Sequence, residues 1–296
     1  MRNRIISIEA LASRSKKDLV RDGFSLLPNV VEKDLLTDFI TEFARVIRPE
    51  CTAISPLTTL RSYTFEPHKS LEMRRSLYGM QSFHKLSRPP VLYKIIELLL
   101  GSDIFVQPRK FLRLAPPGKA FETEPHQDYR YVQGSVDTLT VWIPLHDVDE
   151  QNAPLRFLPG SHHKGLWQSH QSSENKLPQI VDISPHDHRW VTVPANLGDV
   201  IIFHSLTVHA ALPNCTQNNR FSIDVRYQRL NDYISHSALL APYVLPAEEA
   251  ADPTKWTMDP NVLLPESHFL VPSQKHDECR IFNLESQFCR FALLGD

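Results

Sequence analysis

Thr138-Leu139-Thr140-Val141-Trp142-Ile143-Pro144-Leu145 is the stretch whose reading decides the fold. Its period is two: Leu139, Val141, Ile143 and Leu145 share one face, and Thr138, Thr140 and Trp142 share the other, as in a strand with one oily side. Working outward, apolar alternation also runs through 104–114, and short strand signals recur at 154–158, 190–193, 200–203 and 221–227. Turn clusters separate them: Pro159-Gly160-Ser161, Asn196-Leu197-Gly198-Asp199 and Pro213-Asn214. Before residue 103 the pattern is mostly helical. A helix over 15–21 stops at Gly23, Phe24–Leu27 reads as a short strand, and 32–47 aligns Leu36, Phe39, Ile40, Phe43 and Ile47 on one stripe. A further helix over 91–100 lies between Pro90 and Gly101. Helices first and many strands afterwards predict a mainly β protein with flanking helices, built as a double-stranded β-helix (a cupin-like jelly roll). The expected organisation is a single domain over 1–296. Residues 1–102 form a mostly helical part, 103–230 the jelly-roll core, and 231–296 a C-terminal extension with a short helix near 284–294.

Composition narrows the function classes. The 296 residues carry 32 Lys+Arg against 34 Asp+Glu, a formal net charge of −2. That offers no field for a polyphosphate, so a nucleic-acid partner is not expected. Gly is scarce at 9, against the roughly 21 of average usage, while Pro stands at 23, which disfavours long helices. Cys51, Cys215, Cys279 and Cys289 form no Cys-x-x-Cys pair, and the opening residues lack a secretory pattern, so a reduced, cytoplasmic protein is expected. No stretch reads as a membrane span, and no membrane partner is expected.

Fourteen His residues need a filter. On a strand, positions i and i+2 point the same way, so His-x-Asp or His-x-Glu presents an imidazole and a carboxylate to one metal ion. Two such tripeptides occur, His126-Gln127-Asp128 and His276-Asp277-Glu278, and only the first has a later His, His209, to complete a set. Two His and one carboxylate with open positions form the facial triad of non-haem Fe(II) oxygenases. Eleven residues after His209 comes Arg220. Alternation over 220–227 sends Phe221, Ile223, Val225 and Tyr227 one way, and Arg220, Ser222 and Asp224 the other, into the barrel. An inward Arg calls for a carboxylate. A diacid co-substrate supplies one, with Ser222 adding a hydrogen bond; a structural acid such as Asp224 is the competing partner.

With these motifs the chain resembles the phytanoyl-CoA dioxygenase family of Fe(II)/2-oxoglutarate-dependent oxygenases. The resemblance rests on His126-Gln127-Asp128, on 139–145, on Leu158-Pro159-Gly160-Ser161-His162, on Gly198-Asp199-Val200-Ile201-Ile202-Phe203-His204, and on His209 with Arg220; Asp22-Gly23-Phe24-Ser25-Leu26-Leu27-Pro28 matches the opening strand. It implies His126, Asp128 and His209 as ligands of Fe(II), and Arg220, helped by Ser222, as the clamp for 2-oxoglutarate. Gln127 and Trp142 match positions lining the co-substrate pocket. The implied activity is hydroxylation of an unactivated C–H in a small-molecule substrate, consuming O2 and releasing succinate and CO2. Asp128 excludes the chloride-transferring relatives, which lack that carboxylate. Two departures stand out: Ala153 occupies the usual glycine of the Asn152-Ala153-Pro154-Leu155 turn, and Ala210-Ala211 follows His209 where relatives often have Gly-Ser.

Two other classes fit the same residues: a non-catalytic jelly-roll binding protein, and a zinc hydrolase using the same His/Asp/His set, active without oxygen. Of the remaining candidates, His204, His162 and His163 read as packed imidazoles, and His186-Asp187-His188 as a surface pair. Tyr129, Arg130, Tyr131 and Gln133 read as a continuation of the ligand-bearing strand. Arg113 and Arg156 are candidates for an anionic group of the substrate.

Overall fold

The computed structural model describes residues 7–49, 54–64, 70–101, 103–118, 122–171, 180–239 and 270–271. In chain order these begin with α1 (Ile8–Asp22), β1 (Phe24–Leu27), α2 (Lys33–Ile47), α3 (Pro56–Arg61), α4 (Ser70–Gly79), α5 (Gln81–Leu86) and α6 (Pro90–Leu100). Then come β2 (Ile104–Val106), β3 (Phe111–Ala115), β4 (Thr123–His126), α7 (Tyr129–Val132), β5 (Leu139–Pro144), β6 (Leu155–Phe157), β7 (Ser169–His170) and β8 (Ile180–Val181). The chain continues with β9 (Val191–Val193), β10 (Val200–His204), β11 (His209–Ala211), β12 (Arg220–Arg229), β13 (Ile234–Ser235), α8 (His236–Leu239) and β14 (Leu270–Val271). The expected helix near 284–294 lies outside the described residues.

Two sheets face each other. The larger runs β1-β10-β5-β12-β2, with β3 also paired to β12; the smaller runs β4-β11-β6-β9. Interleaving of sequence-distant strands in both sheets is the jelly-roll pattern. The period-two reading of β5 holds. Leu139, Val141, Ile143 and Leu145 join Val200, Ile202, Phe221, Ile223, Val225 and Tyr227 on the outer face of the large sheet, where Leu36, Phe39 and Phe43 of α2 and Ile95, Ile96 and Leu99 of α6 cover them. Trp142, Ile201 and Phe203 point the opposite way, and meet Leu155, Phe157, Val193 and Ala211 of the small sheet in the inter-sheet core. The helices are therefore the lid of the outer core and stay outside the barrel.

Two boundaries differ from the sequence reading. Helix α1 begins at Ile8, not near residue 15, because Ser7 accepts a hydrogen bond from the Ala10 N–H at 3.2 Å and caps it. Its buried stripe of Leu11, Ser15 and Leu19 hides a serine, which bonds the Ser25 hydroxyl of β1 at 3.1 Å. A polar residue on the core side weakens the period seen in the sequence. At the other end, Gly23 takes φ 84°, and a Cβ there would run into Thr207 and His162, so glycine alone allows the tight turn into β1. The alternation over 104–114 is two strands, β2 and β3, separated around Pro108, which has no N–H to give a ladder.

Buried histidines make acid the weak side of this fold. The His146 Nδ1–H donates to Asp147 O at 2.8 Å, and Nε2 accepts from the Phe221 N–H at 3.1 Å, so the neutral ring is fully used. Burial pushes its pKa down to about 4, and burial beside His204 and His163 pushes His162 down to about 3. In the unfolded chain both bind a proton near pH 6.5, so the unfolded state holds more protons between that value and the depressed one. Stability is thus expected to fall as pH drops from 6.5 toward 4, by up to about 1.4 kcal/mol per pH unit for each ring. Urea midpoints measured from pH 7 to pH 4.5 check this; a level profile contradicts it.

Candidate metal centre

The site is built where the small sheet meets the turn after β4. Strands β4 and β11 are antiparallel, with His126 directly opposite His209 and ring centroids 4.2 Å apart. Cross-strand pairing therefore brings together two residues far apart in sequence. Each ring is fixed by its own backbone: His126 Nδ1 lies 2.8 Å from Glu124 O, and His209 Nδ1 lies 3.0 Å from Thr207 O. A carbonyl can only accept, so Nδ1 carries the hydrogen and the Nε2 lone pair is left for a ligand.

Asp128 reaches the pair by a different route from the one the tripeptide suggested. Strand β4 ends at His126, and Asp128 has helical angles (φ −58°, ψ −31°) at the head of α7, where its carbonyl accepts from the N–H groups of Tyr131 and Val132. Tyr129, Arg130 and Tyr131 accordingly form a helical turn, and Gln133 follows it at φ 56°; none of them continues a strand. The turn swings the carboxylate back, so that Asp128 Oδ1 stands 3.8 Å from His126 Nε2 and 3.9 Å from His209 Nε2. One donor atom from each of the three lies within 4.8 Å of the others, and this is the only such group among the described residues.

The second carboxylate oxygen is taken. Asp128 Oδ2 accepts from Thr140 Oγ1 at 2.6 Å and from Arg226 Nη2 at 3.0 Å. Burial alone would raise the Asp128 pKa, but Arg226, the two imidazoles and the Thr140 hydroxyl outweigh it and hold the carboxyl well below its usual range. Burial pushes His126 down to about 3, and lowers His209 as well. The three groups are therefore an anion and two neutral bases at pH 7, each with one free donor aimed at a common point, which is what a divalent ion needs. Neither Arg226 nor Thr140 stands out as a site residue in the sequence. Arg226 has the inward parity of Arg220, Ser222 and Asp224, so carrying the alternation one step further was the available signal.

The expected clamp, Arg220, lies on the inward face of β12, the face from which Arg226 reaches Asp128. Arg220 is 4% exposed; its Nη1 donates to Ser222 Oγ at 2.9 Å and its Nε to Ala153 O at 3.3 Å. Asp224 is not its partner, because Asp224 Oδ2 takes the Arg113 Nε–H at 2.7 Å. No carboxylate among the described residues lies within ion-pair distance of Arg220, and burial lowers its pKa to about 10. Trp142 lies under it, with its ring 5.8 Å from the guanidinium carbon. Ala153 adopts φ 49°, the left-handed angle a glycine would take without strain, and so presents its carbonyl to Arg220.

Gln127 departs from its expected role. Its amide nitrogen donates to Gly165 O at 2.8 Å and Leu206 O at 2.6 Å, and its oxygen accepts from the Trp167 N–H at 2.9 Å. Both amide hydrogens tie loops together, so none remains for a co-substrate carboxylate. The lesser candidates are placed too. His204 Nε2 stands 3.7 Å from Asp137, away from the centre; Asp187 pairs with Arg189, and Arg156 stacks on Trp190 at 4.7 Å. Ala210 and Ala211 are buried in β11, and Ala211 packs in the inter-sheet core.

A jelly roll with two His and one Asp converging between its sheets, beside a buried guanidinium, defines the class of non-haem, 2-oxoglutarate-type oxygenase folds. Comparison with known proteins agrees. The phytanoyl-CoA dioxygenase (PhyH) family profile matches residues 19–222, and the chain belongs to that family. It is 28% identical over 212 residues to 1-deoxypentalenic acid 11-beta-hydroxylase of Streptomyces arenae, covering 67% of this chain and 74% of that protein. It is 26% identical over 243 residues to the peroxisomal phytanoyl-CoA dioxygenase of Rattus norvegicus, covering 76% and 69%. The fold is shared with the epimerase SnoN, solved in complex with Fe3+, alpha ketoglutarate and nogalamycin RO: TM-score 0.58, 22% identity, 83% of this chain and 93% of that one. Among the described residues, no helix is long and apolar enough to cross a membrane.

Proposed function

We propose that the chain is an Fe(II)/2-oxoglutarate-dependent dioxygenase of the hydroxylase type, in which His126, Asp128 and His209 hold the iron and Arg220 with Ser222 receives the distal carboxylate of 2-oxoglutarate. The observation that carries this reading is a three-donor centre with one carboxylate oxygen free, together with a buried Arg220 guanidinium that has no carboxylate at ion-pair distance and shares the inward face of β12 with Arg226, the partner of Asp128. Family membership supports the reading, as do the hydroxylase names of the relatives. When bound, iron and 2-oxoglutarate supply the oxidising chemistry: O2 cleaves the co-substrate to succinate and CO2, and a substrate C–H becomes C–OH.

The residues of the chain position and exclude. The Nδ1–H bonds of His126 and His209 keep the ring faces fixed, and Thr140 with Arg226 keeps Asp128 from turning both oxygens to the metal. Ser222 accepts from Arg220 and keeps its own hydroxyl hydrogen for the co-substrate, while Trp142 closes the wall against water. We take 1–296 as one oxygenase domain with its groups on 103–230, because the N-terminal helices share a continuous apolar core with the large sheet. We also take it as a cytoplasmic protein acting on a small molecule, in keeping with the exposed free thiol of Cys215.

The test is anaerobic. Fe(II)-loaded protein is expected to develop a weak visible charge-transfer absorption on adding 2-oxoglutarate, and to release succinate once O2 is admitted. Absence of both, with hydrolytic activity supported by zinc without oxygen, overturns the reading.

A further inference from the structure

We propose that Arg113 is a second carboxylate-binding guanidinium of the cavity, which takes a carboxylate of the primary substrate; this rests on the oxygenase reading above. Register places it. Arg113 of β3 pairs with Ser222 of β12, and cross-strand partners share a face, so Arg113 looks inward with Ser222 while Leu112 and Leu114 pack outward. Asp224, which Arg113 bonds, lies two residues before Arg226 on the same face of β12, and Arg226 bonds Asp128 of the metal centre. The side chain is held rather than loose: Nε donates to Asp224 Oδ2 at 2.7 Å, and the guanidinium lies 4.9 Å from the Phe111 ring. Its two terminal nitrogens have no hydrogen-bond partner among the described residues. A fork fixed at one edge with the other edge bare is a ready carboxylate receptor.

Exposure assigns the occupant. Arg220 is 4% exposed and lies deep, whereas the Arg113 side chain is 44% exposed on the outermost strand of the same sheet. The co-substrate seated on Arg220 is the inner ligand, and Arg113 faces whatever enters after it. Charge agrees. With Asp128 included, the inward faces of β3 and β12 carry three guanidiniums (Arg113, Arg220 and Arg226) against two carboxylates, and a divalent ion is offset by dianionic 2-oxoglutarate. One positive charge is left over. That surplus suits a monoanion, and because Asp224 already neutralises part of Arg113, a carboxylate fits better than a dianionic phosphate.

The test uses anaerobic Fe(II)- and 2-oxoglutarate-loaded protein in equilibrium dialysis with decanoate and cyclohexanecarboxylate, each beside its methyl ester. At least one acid is expected to bind ten-fold or more tightly than its ester. Arg113→Gln is expected to erase that preference, and Arg113→Lys, which keeps a cation for Asp224, to reduce it. In both variants the 2-oxoglutarate affinity, read from the charge-transfer band, should stay within two-fold, which also reports an intact fold. Equal binding of acid and ester, or no binding of either, overturns the proposal. So does a ten-fold loss of 2-oxoglutarate affinity in Arg113→Gln, because the guanidinium would then serve the co-substrate. If the wild-type protein gives no 2-oxoglutarate band at all, the oxygenase reading fails as well, so the two failures are distinguishable.

Discussion

Asp128→Asn should leave a folded protein that no longer retains iron and makes no succinate. The asparagine carbonyl can still accept from Thr140 Oγ1 and Arg226 Nη2, the bonds now made to Oδ2 at 2.6 and 3.0 Å, so the buried guanidinium keeps a partner. What is lost is the anionic oxygen facing His126 and His209, replaced by an NH2 that cannot bind a cation. Metal affinity should drop by more than about a hundred-fold, since altering merely a partner of a metal ligand costs 10–100-fold. Succinate release should fall below detection. Asp128→Ala makes a poor control, because it strands Arg226 in the interior at a cost of about 3–5 kcal/mol and invites misfolding. His209→Ala is the better second variant, since the ring bonds only a nearby backbone carbonyl. Iron per chain after gel filtration, read beside the thermal midpoint, is the measurement. Full iron occupancy in a folded Asp128→Asn protein would place the metal elsewhere.

The reach of the sequence is clearest where a single period carries the information. Alternation along β5 and β12 sorted the outer core from the inter-sheet core residue by residue, and it sent Arg220 and Ser222 inward, where they are found. His126 and His209 were legible as a pair by residue type, but the reason they meet is a cross-strand register no local pattern encodes. Asp128 is the carboxylate of the observed cluster, yet the i, i+2 rule that points to it needs a strand, and the chain turns helical there. Four residues of helix are too few for a period to show. Gln127 lies between two ligands, but adjacency says nothing about side-chain direction, which is set here by the loops at Gly165 and Leu206. Arg113 and Arg226 show the converse: two inward guanidiniums, each beside an acid from another part of the chain, pairings visible only once β3, β12 and α7 are in place.

Arg220→Met should abolish co-substrate binding and, in the absence of 2-oxoglutarate, make the protein more stable. The two effects share one cause. A guanidinium that is 4% exposed, with one serine hydroxyl and one long carbonyl contact as partners, has left water with no carboxylate at ion-pair distance. Its pKa, lowered to about 10 by burial, reports the same penalty. An unbranched apolar side chain of similar reach removes that penalty, so the ligand-free protein should gain on the order of 1–3 kcal/mol. The gain is reduced by the Ala153 carbonyl, which loses its donor. The price appears on adding 2-oxoglutarate. Wild-type protein should be stabilised by its ligand, with a thermal midpoint that climbs as concentration passes the dissociation constant, whereas the variant should not respond. The apparent KM for 2-oxoglutarate should rise by about a hundred-fold or more, as expected when a charge-assisted, two-point contact is removed. Iron retention should be unaffected, because Arg220 bonds none of the three metal donors. Thermal scans with and without 2-oxoglutarate test both halves together. A destabilised ligand-free variant would mean that Arg220 is a structural cation with a partner of its own, and the dicarboxylate clamp would have to be sought at another residue.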